Sequence, residues 1–345
     1  MLHFLHSLFA PPSRQIGAVG SATINTAVDR VIDGTDPRLR AVPHYQRILA
    51  RPVESALEYI AANADIFPPA ITFDRRRFSA DPRLRAMFVG PNHLLEVLSS
   101  SPEVRGYLKE NRSTTPPELF AALRVERTEK RVFGMALDGG RVLRDVPQTM
   151  VNFHNHRVAF PATSEAETLL QVQARAFDYL IEVAKTHLDA MRARREQLER
   201  QYRQLCLGRS PVPGRAGRGA AGLSAGIIRS PHDPADARRL QSVEAELGRL
   251  RALAGTLGEQ LALVANIVRE PHGYLRFERV GMTLDRMNTK VSKNLRKSAD
   301  DMTFNDILID GQRRITLELI RFPSGELLPP TDLVANAERA LQRAI

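Results

Sequence analysis

The sequence predicts an α+β fold: an N-terminal helical region, an antiparallel β core split along the chain, and an antiparallel coiled-coil hairpin inserted between its halves. Three observations carry this reading. Helix starts of the Asp-Pro and Ser-Pro type crowd the first 113 residues. Runs of β-branched and aromatic residues gather in two separated blocks. Between those blocks lie two heptad seams of equal length. The expected divisions are 1–113, 114–162, 163–270 with a flexible tip at 208–234, and 271–345.

In the first region, "DPRLRA" occurs at Asp36 and again at Asp81. The sequences that follow do not align, so a repeat is not indicated. Aspartate caps a helix well, and proline at the first helical position has no amide to leave unpaired. Both copies therefore read as helix starts. Arg51-Pro52 reads as a third, opening a helix with Val53, Leu57, Ile60 and Ala61 on one face. Ser101-Pro102 reads as a fourth. Ahead of these, Leu2, Leu5, Leu8 and Phe9 would make an amphipathic segment. It lacks the basic start of a signal peptide. Docking on the protein's own body ranks ahead of a membrane surface.

From Thr114 the pattern turns to strands. "FAALRVER", "KRVFGMAL", "GRVLRDV" and "TMVNFHNHRVAF" suggest a meander of about four, with Asp138-Gly139-Gly140 as a hairpin turn. Ser164 and Glu167 then form a capping box for a long helix. Its seam runs from Phe177 to Leu205 in steps of four and three, with a polar break at Arg195. A second seam runs from Leu240 to Val268. Each spans about 42 Å at 1.5 Å per residue, so antiparallel pairing would set Leu205 against Leu240 and Phe177 against Val268. The intervening stretch is rich in Gly, Pro, Ser and Ala, which gives it little to bury. Beyond Pro271, three strands are expected, the last two joined at Asp310-Gly311, followed by a C-terminal helix.

Charge gives the functional reading. The chain of 345 residues carries a net +10 and a pI near 10.2, which favours an anionic partner. Ten Lys/Arg against three acids fall between Lys185 and Arg229; seven against two fall between Arg276 and Lys297. The residues expected to contact that partner are Arg192, Arg194, Arg200, Arg203, Arg215 and Arg218 on the arm, with Lys290, Lys293, Arg296 and Lys297 in the second patch. The leading expectation is a non-enzymatic binding or scaffold protein that uses the cationic arm on an acidic protein surface or a nucleic acid. The arm also offers a route to homo-oligomers.

Nucleic-acid binding through the arm and the 286–297 patch is the second reading. The third is a metal-dependent hydrolase centred on His154 and His156, which an unbroken strand would place on one face. No third metal ligand is suggested by spacing, so the pair reads first as ordinary strand residues. No phosphate loop, nucleophile elbow or H-E-x-x-H occurs, so no catalytic residue, metal or cofactor is expected. The single cysteine, Cys206, cannot form an internal disulfide, and a cytoplasmic location is expected.

Overall fold

The computed structural model describes residues 20–64, 67–76, 78–111, 116–138, 141–207, 234–291 and 299–328. It is a mixed helix-and-strand structure with one antiparallel sheet and a long helical region, an α+β fold. The chain divides into two compact units. One takes in Ala56–Asp178 and the chain from Glu270 onward; the other comprises Gly20–Ser55 and Tyr179–Arg269. The N-terminal helices are thus divided between the two units.

In the first unit, strands β1 (Ile71–Thr72), β2 (Glu118–Asp138), β3 (Arg141–Ala162), β4 (Leu275–Asp285), β5 (Ala299–Ile309) and β6 (Arg313–Pro323) build one sheet. Its order is β3-β2-β6-β5-β4, with β1 added parallel to β6. Strands from before and after the long helices therefore complete a single sheet. The four-strand meander expected before the helices is instead two long strands, paired from Phe120↔Ala162 to Asp138↔Arg141. Thr128-Glu129 and Pro147-Gln148 fall between the expected strands. They lack the Gly or Asn that a tight turn demands, and the pairing continues through them. The turn at Asp310-Gly311 does form, and both residues have positive φ (50° and 67°), as a type I′ hairpin requires.

Alternation along β2 sorts its side chains onto two faces. Leu119, Ala121, Leu123 and Val125 join the main core with Ile320 and Phe322 of β6. Three short helices, α3 (Pro82–Met87), α4 (Pro91–Ser100) and α5 (Pro102–Glu110), contribute Leu84, Met87, Leu94, Leu98 and Val104 to that core. Each begins with proline at its first position. Asp81 caps α3 through the amide of Arg83 at 2.8 Å, and Ser101 caps α5 through that of Val104 at 3.3 Å. On the opposite sheet face, Ala122 and Leu317 meet Val172 in a smaller cluster with Phe160 and Ile307.

In the second unit, α1 (Gly20–Thr35) is followed by a 3₁₀ turn, Pro37–Ala41, whose cap is Asp36. This first "DPRLRA" thus caps as expected, yet yields only a 3₁₀ turn because Val42 precedes Pro43, and a residue before proline avoids the helical region. The next helix, α2 (Tyr45–Ala64), holds Pro52 in its interior. Pro52 does not open a helix here: the start lies at Tyr45, just after His44 at φ 59°.

Helix α6 (Glu165–Leu207) is 43 residues long and begins in the first unit. The Ser164 hydroxyl accepts the Glu167 amide at 3.2 Å, and the Glu167 carboxylate reaches back to the Thr163 amide at 3.3 Å. The second seam is not one helix but two, α7 (Pro234–Ala254) and α8 (Leu257–Arg269). Thr256 starts α8 with a capping box of its own, its hydroxyl accepting the Glu259 amide at 3.2 Å and its amide donating to the Glu259 carboxylate at 2.8 Å. A side chain at Gly255 would place its Cβ 2.4 Å from the Arg251 carbonyl oxygen. The heptad spacing hid this break because it counts only apolar positions. Helix α6 runs antiparallel to α7 and α8: Arg194 forks onto Glu246 at 2.8 and 3.0 Å, and Arg192 bonds Gln260.

The expected amphipathic segment at 1–13, most of the tip at 208–234, and the whole of the C-terminal helix at 330–345 fall outside the described residues. Among those described, no helix is long and apolar enough to cross a membrane.

Candidate functional site

The arm arginines do not share one environment. Arg192 is held inside the helical unit, where it pairs with the buried Asp36 carboxylate and with Gln260. Hydrogen bonds from Arg38, then its amide and Arg192, hold the Asp36 carboxyl far below the ordinary carboxylate range, against the opposing effect of burial. Arg194 is bound to Glu246 across the helix pair. These two arginines join the helices together and have little left for a partner.

Arg200 and Arg203 are exposed near the end of α6, with Arg238 and Arg239 exposed near the start of α7. Among the described residues, Arg203 reaches only the carbonyl of Glu199, at 3.3 Å. Arg215, Arg218, Lys293, Arg296 and Lys297 lie outside the described residues. Lys290 belongs to the sheet: its amide donates to Thr149 at 2.8 Å and its ammonium pairs with Glu129 at 2.7 Å.

The histidine pair is separated by a bulge. Arg124 faces Arg157 and Glu126 faces His154, so β3 carries one extra residue, with Asn155 at φ 54°. The extra residue reverses the alternation. His156 turns to the main core, where its Nε2 lies 2.7 Å from the Met87 carbonyl oxygen and its ring packs on Phe88 and His93. Burial pulls its pKa below the ordinary value. His154 lies on the other side, 3.8 Å from Glu126 and half exposed. The expectation that both imidazoles share a face is thus incorrect; the bulge keeps them from converging on one ion. No group of three or more His, Cys, Asp or Glu suited to a metal occurs among the described residues.

What the bulge does assemble is a cluster of guanidinium groups. Glu126 accepts from Arg313 at 2.7 Å, Asn155 at 3.0 Å and Arg124 at 3.1 Å. Arg157 stands opposite Arg124 in the ladder, and its Nε lies 3.4 Å from the Asn155 side-chain oxygen. The bonds from Arg313 and Asn155, in that order, bring the Glu126 carboxyl down to about 2. Burial and then the charges of Arg313 and Arg157 draw Arg124 below its ordinary value, while Glu126 opposes them. The Arg124 Nε is buried without a hydrogen-bond partner. Charge counting along the sequence missed this cluster because its members come from three strands. The local signal was the alternation of "LRVER", which puts Arg124 and Glu126 on one face.

Elsewhere in the sheet unit, β5 and β6 are paired only from Asp306↔Thr316 to Ile309↔Arg313, and β1 pairs with β6 further on, at Ile320 and Arg321. An open cleft of about 680 Å³ is lined by Ile71 and Thr72 of β1, Arg83 of α3, Arg279 of β4, and Met302 and Thr303 of β5. Near the place where the pairing stops, the buried Glu318 accepts from the Asn305 amide and side-chain nitrogen, each at 3.0 Å. Burial raises its pKa to about 7, against the lowering effect of those bonds.

No protein-family model, curated protein sequence or solved structure matches this chain.

Proposed function

We infer that the chain is a non-enzymatic binding protein that holds an anionic macromolecule at the end of its antiparallel helices where α6 closes and α7 begins. The observation that carries this reading is the exposure of Arg200, Arg203, Arg238 and Arg239 where α6 ends and α7 begins. The intervening sequence adds Arg209, Arg215, Arg218 and Arg229 against the single acid Asp233. Arg192 and Arg194 leave the list of contact residues, because each is committed to an internal partner. Of the anionic partners, nucleic acid gives the sharper expectation, since phosphate contacts release counterions and make affinity fall steeply with salt.

The test is a titration of the full-length protein with a duplex oligonucleotide and, separately, with an acidic peptide, each over a salt series. Arg200→Gln and Arg203→Gln together should flatten the duplex slope by up to about two units of log affinity per log salt. Arg194→Gln should leave that slope unchanged. Equal affinity and slope in the wild type and the Arg200/Arg203 double variant would refute the assignment. Tight peptide binding without duplex binding would assign an acidic protein surface instead.

A further inference from the structure

We propose that Arg124, Arg157 and Arg313 form a second anion site, on the sheet, for the phosphate group of a small molecule: free phosphate or a terminal phosphate monoester. The site is independent of the helical arm and lies wholly within the sheet unit.

Charge supports this assignment. Three guanidinium groups gather about one carboxylate, so these four groups together retain a net +2. Like charges at this spacing repel one another, and Glu126 can offset only one of them. A phosphate monoester carries close to two negative charges at neutral pH and brings three acceptor oxygens. It would balance the cluster, whereas a carboxylate would leave half of the excess in place.

Donor geometry supports it as well. Each guanidinium presents five N–H groups in a planar fork suited to oxyanions. The bonds to Glu126 use one terminal nitrogen of Arg124 and one of Arg313. Arg157 and Arg313 are exposed, with the Arg313 side chain at 57%, so their remaining donors are accessible. The bulge at Asn155 is what gives Arg157 and His154 their places around Glu126.

Glu126 itself is the source of a second, oppositely signed expectation. Removing its charge should strengthen phosphate binding while weakening the fold in its absence. Replacing the two exposed arginines should abolish binding with little effect on folding.

The experiment uses the full-length protein and two probes, inorganic phosphate and glycerol phosphate, each titrated against chloride at matched ionic strength. Binding is read by calorimetry and by the melting temperature. A saturable rise in melting temperature is expected in the wild type and should be absent in Arg157→Gln/Arg313→Gln. Glu126→Gln should melt lower in chloride, recover with phosphate, and reach half-saturation at a roughly fivefold lower concentration, as one added charge nearby implies. Whichever probe saturates at the lower concentration identifies the source, ester or free ion. The proposal is overturned if neither probe saturates in the wild type, if the double arginine variant responds as the wild type does, or if Glu126→Gln binds more weakly.

Discussion

Replacing Glu318 by glutamine should stabilise the sheet unit at alkaline pH and leave it nearly unchanged in acid. The Glu318 carboxyl is 1% exposed and has a pKa of about 7, against an ordinary 4.5. Because the folded value is the higher one, the folded chain prefers the protonated form. Its contribution is fully present below pH 4.5 and is lost progressively as pH rises to about 7. A difference of about 2.5 pH units corresponds to about 3 kcal/mol at 1.36 kcal/mol per unit, developed fully only above the folded value. Glutamine removes the titration and keeps an oxygen to accept the Asn305 amide. Its NH₂ can donate to the Asn305 side-chain oxygen once that amide rotates; this oxygen is buried without a partner in the present orientation. Urea unfolding of both proteins at pH 4.5, 6 and 8, followed by the far-ultraviolet strand signal, gives the difference directly. The variant should gain up to about 3 kcal/mol at pH 8 relative to its gain at pH 4.5. A difference independent of pH, or a loss that grows with pH, would refute the assignment of Glu318 as the titrating group.

Other expectations concern the helical unit. Asp36→Asn retains the cap on Pro37–Ala41 but strips Arg192 of its buried counter-charge, and should cost roughly 3 kcal/mol in thermal or urea unfolding. In the wild type the Asp36 contribution is present above its unfolded pKa of 3.8 and should fade as pH falls below that value. Gly255→Ala must displace the Arg251 carbonyl and should destabilise the unit by about 1–3 kcal/mol, measured by helical ellipticity on heating. Thr256→Val removes the cap of α8 and should cost about 1 kcal/mol in the same assay.

Much of the fold was legible because it rests on local chemistry. Asp81, Ser101 and Ser164 cap the elements that their sequence contexts announce, and Asp310-Gly311 turns where expected. What escaped was of two kinds. Pro52 is tolerated inside a helix, and polar Thr128 and Glu129 remain in a strand, because tertiary context overrides local preference. The guanidinium cluster depends on register instead. A single added residue at Asn155 sends His154 and His156 to different faces, and nothing in "FHNHRV" marks that insertion. The arm arginines were found as a group but could not be sorted, since the acids that occupy Arg192 and Arg194 lie 156 and 52 residues away.

The position of β6 has a consequence for how the protein is made. This strand lies between β2 and β5, yet it is the last strand among those described, and Ala121 pairs with Ile320. During synthesis β2 emerges long before the partner that covers its inner edge, and nearly two hundred residues must follow first. Closing a loop of that size carries an entropy penalty that grows only slowly with length, but the wait is a matter of time rather than free energy. Over that interval β2 and β3 have only each other and the preceding helices α3, α4 and α5 to pack against, and a two-stranded hairpin alone is marginal in water. Until β6 emerges, Leu119, Ala121 and Leu123 lack the packing of Ile320 and Phe322. Sheet formation should therefore be the slow step of refolding, with the helices gaining their ellipticity first.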